Sequence, residues 1–121
     1  MKKIPARQLY CISLLVFILL PTVTIADSMH EEIDYLISSV GISGCTFIRN
    51  GRRIKGSVAR AHLQSKRRRN AHIINSTEAF IEKIASMSAT SGRPYLINCK
   101  GQDRQQAREW FTALLAQRRK A

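Results

Sequence analysis

Residues 45–55 read CTFIRNGRRIK. Asn50-Gly51 is a dipeptide suited to the positive φ angles of a two-residue hairpin turn, and the apolar residues before it alternate as in a strand. A turn at that point sets Phe47 opposite Ile54, on one face with Cys45. Ile48 then falls on the other face with Arg53 and Lys55. This short hairpin decides the fold class, because helical patterns lie on both sides of it.

Before it, SMHEEIDYLISSVG carries Ile33, Leu36, Ile37 and Val40 at helical spacing. Ser28 and Glu31 form a capping-box pattern at its start, and Gly41 is a natural stop. After the hairpin, a helix is expected from about Val58 to Ile73, with a weak stripe through Ala59, His62, Leu63, Lys66, Asn70 and Ile73. NSTEAFIEKIAS starts a stronger helix, capped by Asn75 and Glu78, with Phe80, Ile81, Ile84 and Ala85 facing inward. Ala89-Thr-Ser-Gly-Arg93 breaks it, and PYLINC reads as a strand with Tyr95, Ile97 and Cys99 on one face. A last helix, capped by Asp103 and Gln106, turns Ala107, Trp110, Phe111, Leu114 and Leu115 toward the interior. Arg118, Arg119 and Lys120 sit at its C-terminal end, where the helix dipole favours cations. The expected fold is α+β: a small antiparallel sheet of about three strands, one hairpin included, packed by about four helices, following a signal peptide.

The leader reading rests on residues 1–26. Lys2, Lys3 and Arg7 precede a ten-residue apolar run, Cys11–Leu20, and Pro21 breaks it before Thr24 and Ala26 in a small-residue cleavage pattern. The run is shorter than the ~20 apolar residues a membrane-spanning helix needs. The expectation is therefore a signal peptide over 1–26, a single α+β domain over 27–121, and a periplasmic location without a stable membrane span. An inner-membrane anchor through an uncleaved leader is the alternative. Cleavage would remove one of three cysteines, leaving Cys45 and Cys99 in a compartment that permits disulfides. If the last strand pairs with the hairpin, both core-facing sides carry their cysteine, and a bridge is expected.

Charge is concentrated. The chain has 20 Lys and Arg against 8 Asp and Glu, for a net charge of +12. Nine of the cations lie between Phe47 and Asn70, and no acid occurs between Tyr35 and Thr77. Such a block suits an anionic envelope polymer, a lipid head group or an acidic protein. At 100° per residue, however, Arg67, Arg68 and Arg69 point in different directions, as on a solvated face. No aromatic residue is interleaved with the block, so it lacks the stacking platforms of nucleic-acid binding and no specific nucleic acid is expected.

His62 and Lys66 stand apart from the arginines, because they lie on the stripe that should face the core. There they must find partners or line a cleft. Such a cleft could use His62 as a proton carrier and Lys66 to bind an anion; the plainer reading bonds His62 to a backbone carbonyl and lets Lys66 snorkel outward. The loop SATSGRPY offers Ser91 and Arg93, whose hydroxyl and guanidinium suit a carboxylate or phosphate. His30, His62 and His72 are scattered without ligand spacing, so no metal is expected, and no cofactor motif is present. No residue set names a catalytic reaction.

FIRNG, ARAHLQSK, TEAFIEKIAS, SATSGRPYLI and REWF follow one another in the order found in a family of small exported bacterial proteins, the domain of unknown function 5329, which the chain resembles from Ile33 to Leu115. The resemblance implies a periplasmic protein and brings no activity, cofactor or catalytic residue with it. The run KRRRN is more basic than the resemblance leads one to expect.

The sequence reading is thus a binding or interaction module for an anionic envelope component or acidic partner. Its candidate contacts are Arg49, Arg52, Arg53, Arg60, His62, Lys66, Arg67, Ser91 and Arg93. The alternatives are a small envelope hydrolase or transferase using His62 and Lys66, and a structural subunit of an envelope complex.

Overall fold

The computed structural model describes residues 16–20 and 25–121. Most of the leader reading, including Pro21 and Thr24 of the cleavage pattern, lies outside the described residues. Among the described residues, no helix is long and apolar enough to cross a membrane.

The expected α+β architecture is present, with one more strand than anticipated. Helix α1 spans Ile25–Ile42, the hairpin strands are β1 (Thr46–Arg49) and β2 (Arg52–Lys55), and α2 spans Gly56–Arg69. A 3-10 turn at Ala71–Ile73 leads to α3 (Thr77–Phe80), which continues as a π-helical turn over Ile81–Ala85. Strands β3 (Leu96–Asn98) and β4 (Gln105–Gln106) precede α4 (Ala107–Lys120). The sheet order is β2-β1-β3-β4, and every pairing is antiparallel.

Asn50 and Gly51 have φ of 51° and 77°, the conformation that a two-residue primed turn requires. The register is the expected one, with Phe47 opposite Ile54 and Ile48 opposite Arg53. On its other edge β1 pairs Thr46 with Asn98 and Phe47 with Ile97. Extending that ladder by one residue brings Cys45 to Cys99, and the two form a disulfide with a Cα–Cα distance of 4.2 Å.

The Phe47 face of the sheet meets the helices. α1 contributes Ile33, Leu36, Ile37 and Val40 to the core, and α2 contributes Ala59 and Leu63. Phe80, Ile81 and Ile84 enter from α3 and its π turn, and Ala107, Phe111 and Leu115 enter from α4. Each was legible as part of an apolar stripe. Ile48, on the opposite face between Arg53 and Leu96, is also buried but stands outside this core. Where α1 meets α2 the backbones touch: a Cβ on Gly56 would collide with the Val40 carbonyl, so only glycine fits at the first residue of α2.

Four local readings need correction. α1 begins before Ser28, so the Ser28–Glu31 pattern lies inside the helix instead of capping it. The cap of α3 is Ser76, whose Oγ accepts from the Ala79 N–H at 2.9 Å; Asn75 is one residue too early. Asp103 does not cap α4, because Gln105 and Gln106 first form β4 against Ile97 and Leu96. α2 stops at Arg69 because the Asn70 side chain donates back to the Lys66 carbonyl at 2.7 Å and the chain tightens into a 3-10 turn.

The C-terminal cations do more than complement the dipole of α4. Arg119 donates from Nε to Glu32 Oε2 at 2.8 Å and from Nη2 to Glu78 Oε1 at 2.7 Å, joining α4 to α1 and α3. Thr77 donates to the other Glu32 oxygen at 2.6 Å. The Arg119 guanidinium, with help from Thr77, holds the Glu32 carboxyl down at a pKa of about 2. A folded-state value below the ordinary carboxylate value contributes stability that is complete above about pH 4.5 and is lost as pH falls toward about 2. Arg119 is half-exposed and screened by water, which limits the contribution to about 1–2 kcal/mol. Thermal unfolding followed from pH 5 to pH 2.5 should show that loss, and Glu32→Gln should flatten it.

Candidate functional site

The polar centre of the molecule begins at Lys66. Its position on the inward stripe of α2 leaves the residue only 4% exposed. It does not snorkel. The ammonium donates to the Ile84 carbonyl at 2.9 Å, to the Met87 carbonyl at 2.8 Å and to the Tyr95 hydroxyl at 3.3 Å, so each of its three N–H groups has an acceptor. The first acceptor lies at the end of the π turn, where a helix leaves carbonyls without intrahelical donors, and the second lies two residues past it. Burial, then Arg49 and Arg69, push the Lys66 pKa down to about 8, which still leaves the ammonium as the main form at neutral pH.

Tyr95 is the second member. It is 1% exposed, packs against Phe47 at 5.2 Å between ring centroids, and lies under the Lys66 ammonium at 5.1 Å. Its N–H donates to the Ser86 carbonyl and its carbonyl accepts from Ala107, so the backbone on both sides fixes the ring. Burial pushes the hydroxyl pKa up, and the Arg49 guanidinium beside it works the other way. The third member is His62, whose Nε2 lies 3.3 Å from the Tyr95 hydroxyl. Burial is the main cause that pushes the imidazole pKa down, followed by Arg49, Lys66 and Arg69.

His62 faces a cleft of about 400 Å³ between the hairpin tip and α2, which is also lined by Arg49, Asn50, Arg52, Ile54 and Val58. No acid lines it. Among the described residues the ion pairs to carboxylates use Arg67, Arg108 and Arg119, and none uses Arg49 or Arg52. Arg49 Nε is buried without a hydrogen-bond partner. An unpaired donor on a charged group is costly to bury.

The hairpin tip is held in place from behind. Asn50 donates from Nδ2 to Ser88 Oγ at 3.3 Å and accepts at Oδ1 from Ser91 Oγ at 2.6 Å. Ser88 N–H in turn donates to the Arg93 carbonyl at 3.0 Å. The SATSGR loop therefore braces the wall of the cleft, and Ser91 and Arg93 do not line it.

The structure divides the nine sequence candidates. Arg49, Arg52 and His62 come together in the cleft, with Lys66 beneath His62 and turned inward. Arg53 faces away beside Cys99 and Lys100. The Arg60 stem lies along Gly41 of α1. Arg67 donates to Asp34 at 2.5 Å and contacts His30 Nδ1 at 3.0 Å, so it ties α2 to α1. Sequence reasoning did not select Asn50, Ile54, Val58 or Tyr95 for the site. Asn50 was legible only as a turn residue and Tyr95 only as a core residue of a strand. Among the described residues no group of three or more His, Cys, Asp or Glu is placed to hold a metal ion.

The fold and the cleft define a small α+β protein with a disulfide-stapled sheet and an uncompensated cationic recess. Residues 27–119 match a family of unknown function (DUF5329), and the chain belongs to that family. No curated protein and no solved structure matches it.

Proposed function

We propose that this protein is an exported binding module that captures an anionic group of an envelope component in the cleft formed by Arg49, Arg52 and His62. The observation that carries the reading is the uncompensated charge: two arginines and a buried, unpartnered Arg49 Nε with no carboxylate among the lining residues. Export is supported by the leader pattern over 1–26 and by the Cys45–Cys99 bridge, since disulfides persist in oxidising compartments. The hydrolase or transferase alternative loses support because Lys66 spends all three N–H groups on interior acceptors.

Native mass spectrometry of the protein isolated gently at low salt from its own exported fraction tests the reading. The expected result is a chain that begins near Asp27, lacks two hydrogens, and carries an extra mass released by physiological salt. A retained mass indifferent to salt contradicts electrostatic capture.

A further inference from the structure

We propose that the group received by the cleft is a phosphate ester, held between Arg49 and Arg52 and met by the Nδ1–H of His62, whose tautomer is set by Lys66 through Tyr95. The proposal rests on the capture reading and names its ligand class.

The direction of the hydrogen bonds fixes the tautomer. The Lys66 ammonium can only donate, so the Tyr95 oxygen accepts its N–H at 3.3 Å. Arg49, beside the same hydroxyl, is also a donor without acceptor capacity. The single Tyr95 O–H proton is left to point at the remaining neighbour, His62 Nε2, at 3.3 Å. Nε2 is then an acceptor, and a neutral imidazole that accepts at Nε2 carries its proton on Nδ1. His62 lines the cleft, and in the proposed complex that Nδ1–H turns toward the ligand as a donor of fixed tautomer. Lys66 and Tyr95 are positioning residues.

Charge and shape select phosphate. Arg49 and Arg52 bring two positive charges, and the fields of Lys66 and Arg69 also reach His62. A carboxylate offsets one charge, whereas a phosphate ester brings about −1.5 to −2 and three acceptor oxygens, one for each donor residue. Ile54 and the half-exposed Val58 give the walls an apolar part that suits the carbon side of an ester. A volume of about 400 Å³ fits such a head group.

The test uses phenyl phosphate and benzoate, which share an apolar ring and differ in the anion, titrated calorimetrically into the disulfide-bonded protein at low salt. Side-chain nitrogen NMR of His62 is recorded alongside. Phenyl phosphate should bind at least roughly tenfold more tightly than benzoate, given its greater charge and third acceptor. The His62 ring should carry its proton on Nδ1, and that resonance should move as phenyl phosphate is added. Tyr95→Phe keeps the ring packed against Phe47 but removes the hydroxyl. It should let the two tautomers mix and weaken phenyl phosphate about fivefold, the effect of one lost hydrogen bond. A wild-type His62 protonated at Nε2, or benzoate binding as tightly as phenyl phosphate, overturns the proposal. Vesicles containing phosphatidic acid identify the source: binding that phenyl phosphate competes away assigns a lipid head group, and ester binding without vesicle binding assigns a soluble phosphate, both in support. If the isolated protein retains an anion that is not a phosphate and phenyl phosphate does not bind, this proposal falls while capture stands. If Arg49→Ala with Arg52→Ala changes the binding of no anion, capture falls and this proposal falls with it.

Discussion

Reduction of the Cys45–Cys99 bridge is expected to lower the free energy of unfolding by about 4 kcal/mol. The bridge spans a sequence separation of 54, and the enclosed chain holds both hairpin strands, α2, α3 and β3. Closing so long a loop removes much of the freedom of the unfolded chain. It also extends the Thr46–Asn98 register by one residue, so the native state reaches the bonding distance within its ordinary strand pairing. A chain this small has few other reserves, because its core is limited. Urea unfolding of the oxidised protein beside its reduced form, or beside the double Cys45→Ser, Cys99→Ser variant, measures the difference. A loss below about 1 kcal/mol would mean that the sheet and helices alone set the stability, contrary to the chain-entropy expectation.

Replacement of Lys66 by Met is expected to destabilise the fold by about 2–4 kcal/mol. Methionine has nearly the same length and fills the same space, so the change isolates the ammonium. Its loss leaves the buried Ile84 carbonyl and the part-buried Met87 carbonyl without their donor, and the Tyr95 oxygen loses a donor as well. Removal of a buried charge recovers part of the cost, which is why the expected loss is smaller than the sum for separate unsatisfied groups. Equilibrium unfolding at pH 7 reads the outcome. A neutral or stabilising Lys66→Met would show that Lys66 does not staple α2 to the end of the π turn.

How much of this was legible depended on how local each cause was. Asn50-Gly51 specifies its own turn, and a turn of two residues sets the register, so Phe47 opposite Ile54 followed from eleven residues of sequence. The apolar stripes of α1 and α4 named their own inward faces. β4 was hidden because two glutamines carry no strand signal; they pair only because β3 offers them an edge. The partners of Lys66 were hidden for a similar reason. Its backbone acceptors lie 18 and 21 residues away, on and just past a π turn that no spacing rule in the sequence announces.

The charge block illustrates the same limit. In sequence its nine cations form one group, but the fold distributes them among different tasks. Asp34 and His30 of α1 hold Arg67, Arg53 faces the disulfide side, and only Arg49 and Arg52 turn into the cleft with His62. Periodicity around α2 showed that the arginines diverge, and it could not show which hairpin residues α2 would face.

The most direct measurement of the central claim compares anion retention by the wild type with that of two double variants, Arg49→Ala with Arg52→Ala, and Arg68→Ala with Arg93→Ala. Each removes two cations, so long-range attraction falls equally, while only the first pair empties the cleft of its arginines. Native mass spectrometry at low salt should show the salt-releasable mass on the wild type and on the Arg68, Arg93 variant, and a bare chain for the Arg49, Arg52 variant. Equal retention by all three would contradict capture in the cleft and would reduce the basic segment to a solvated surface.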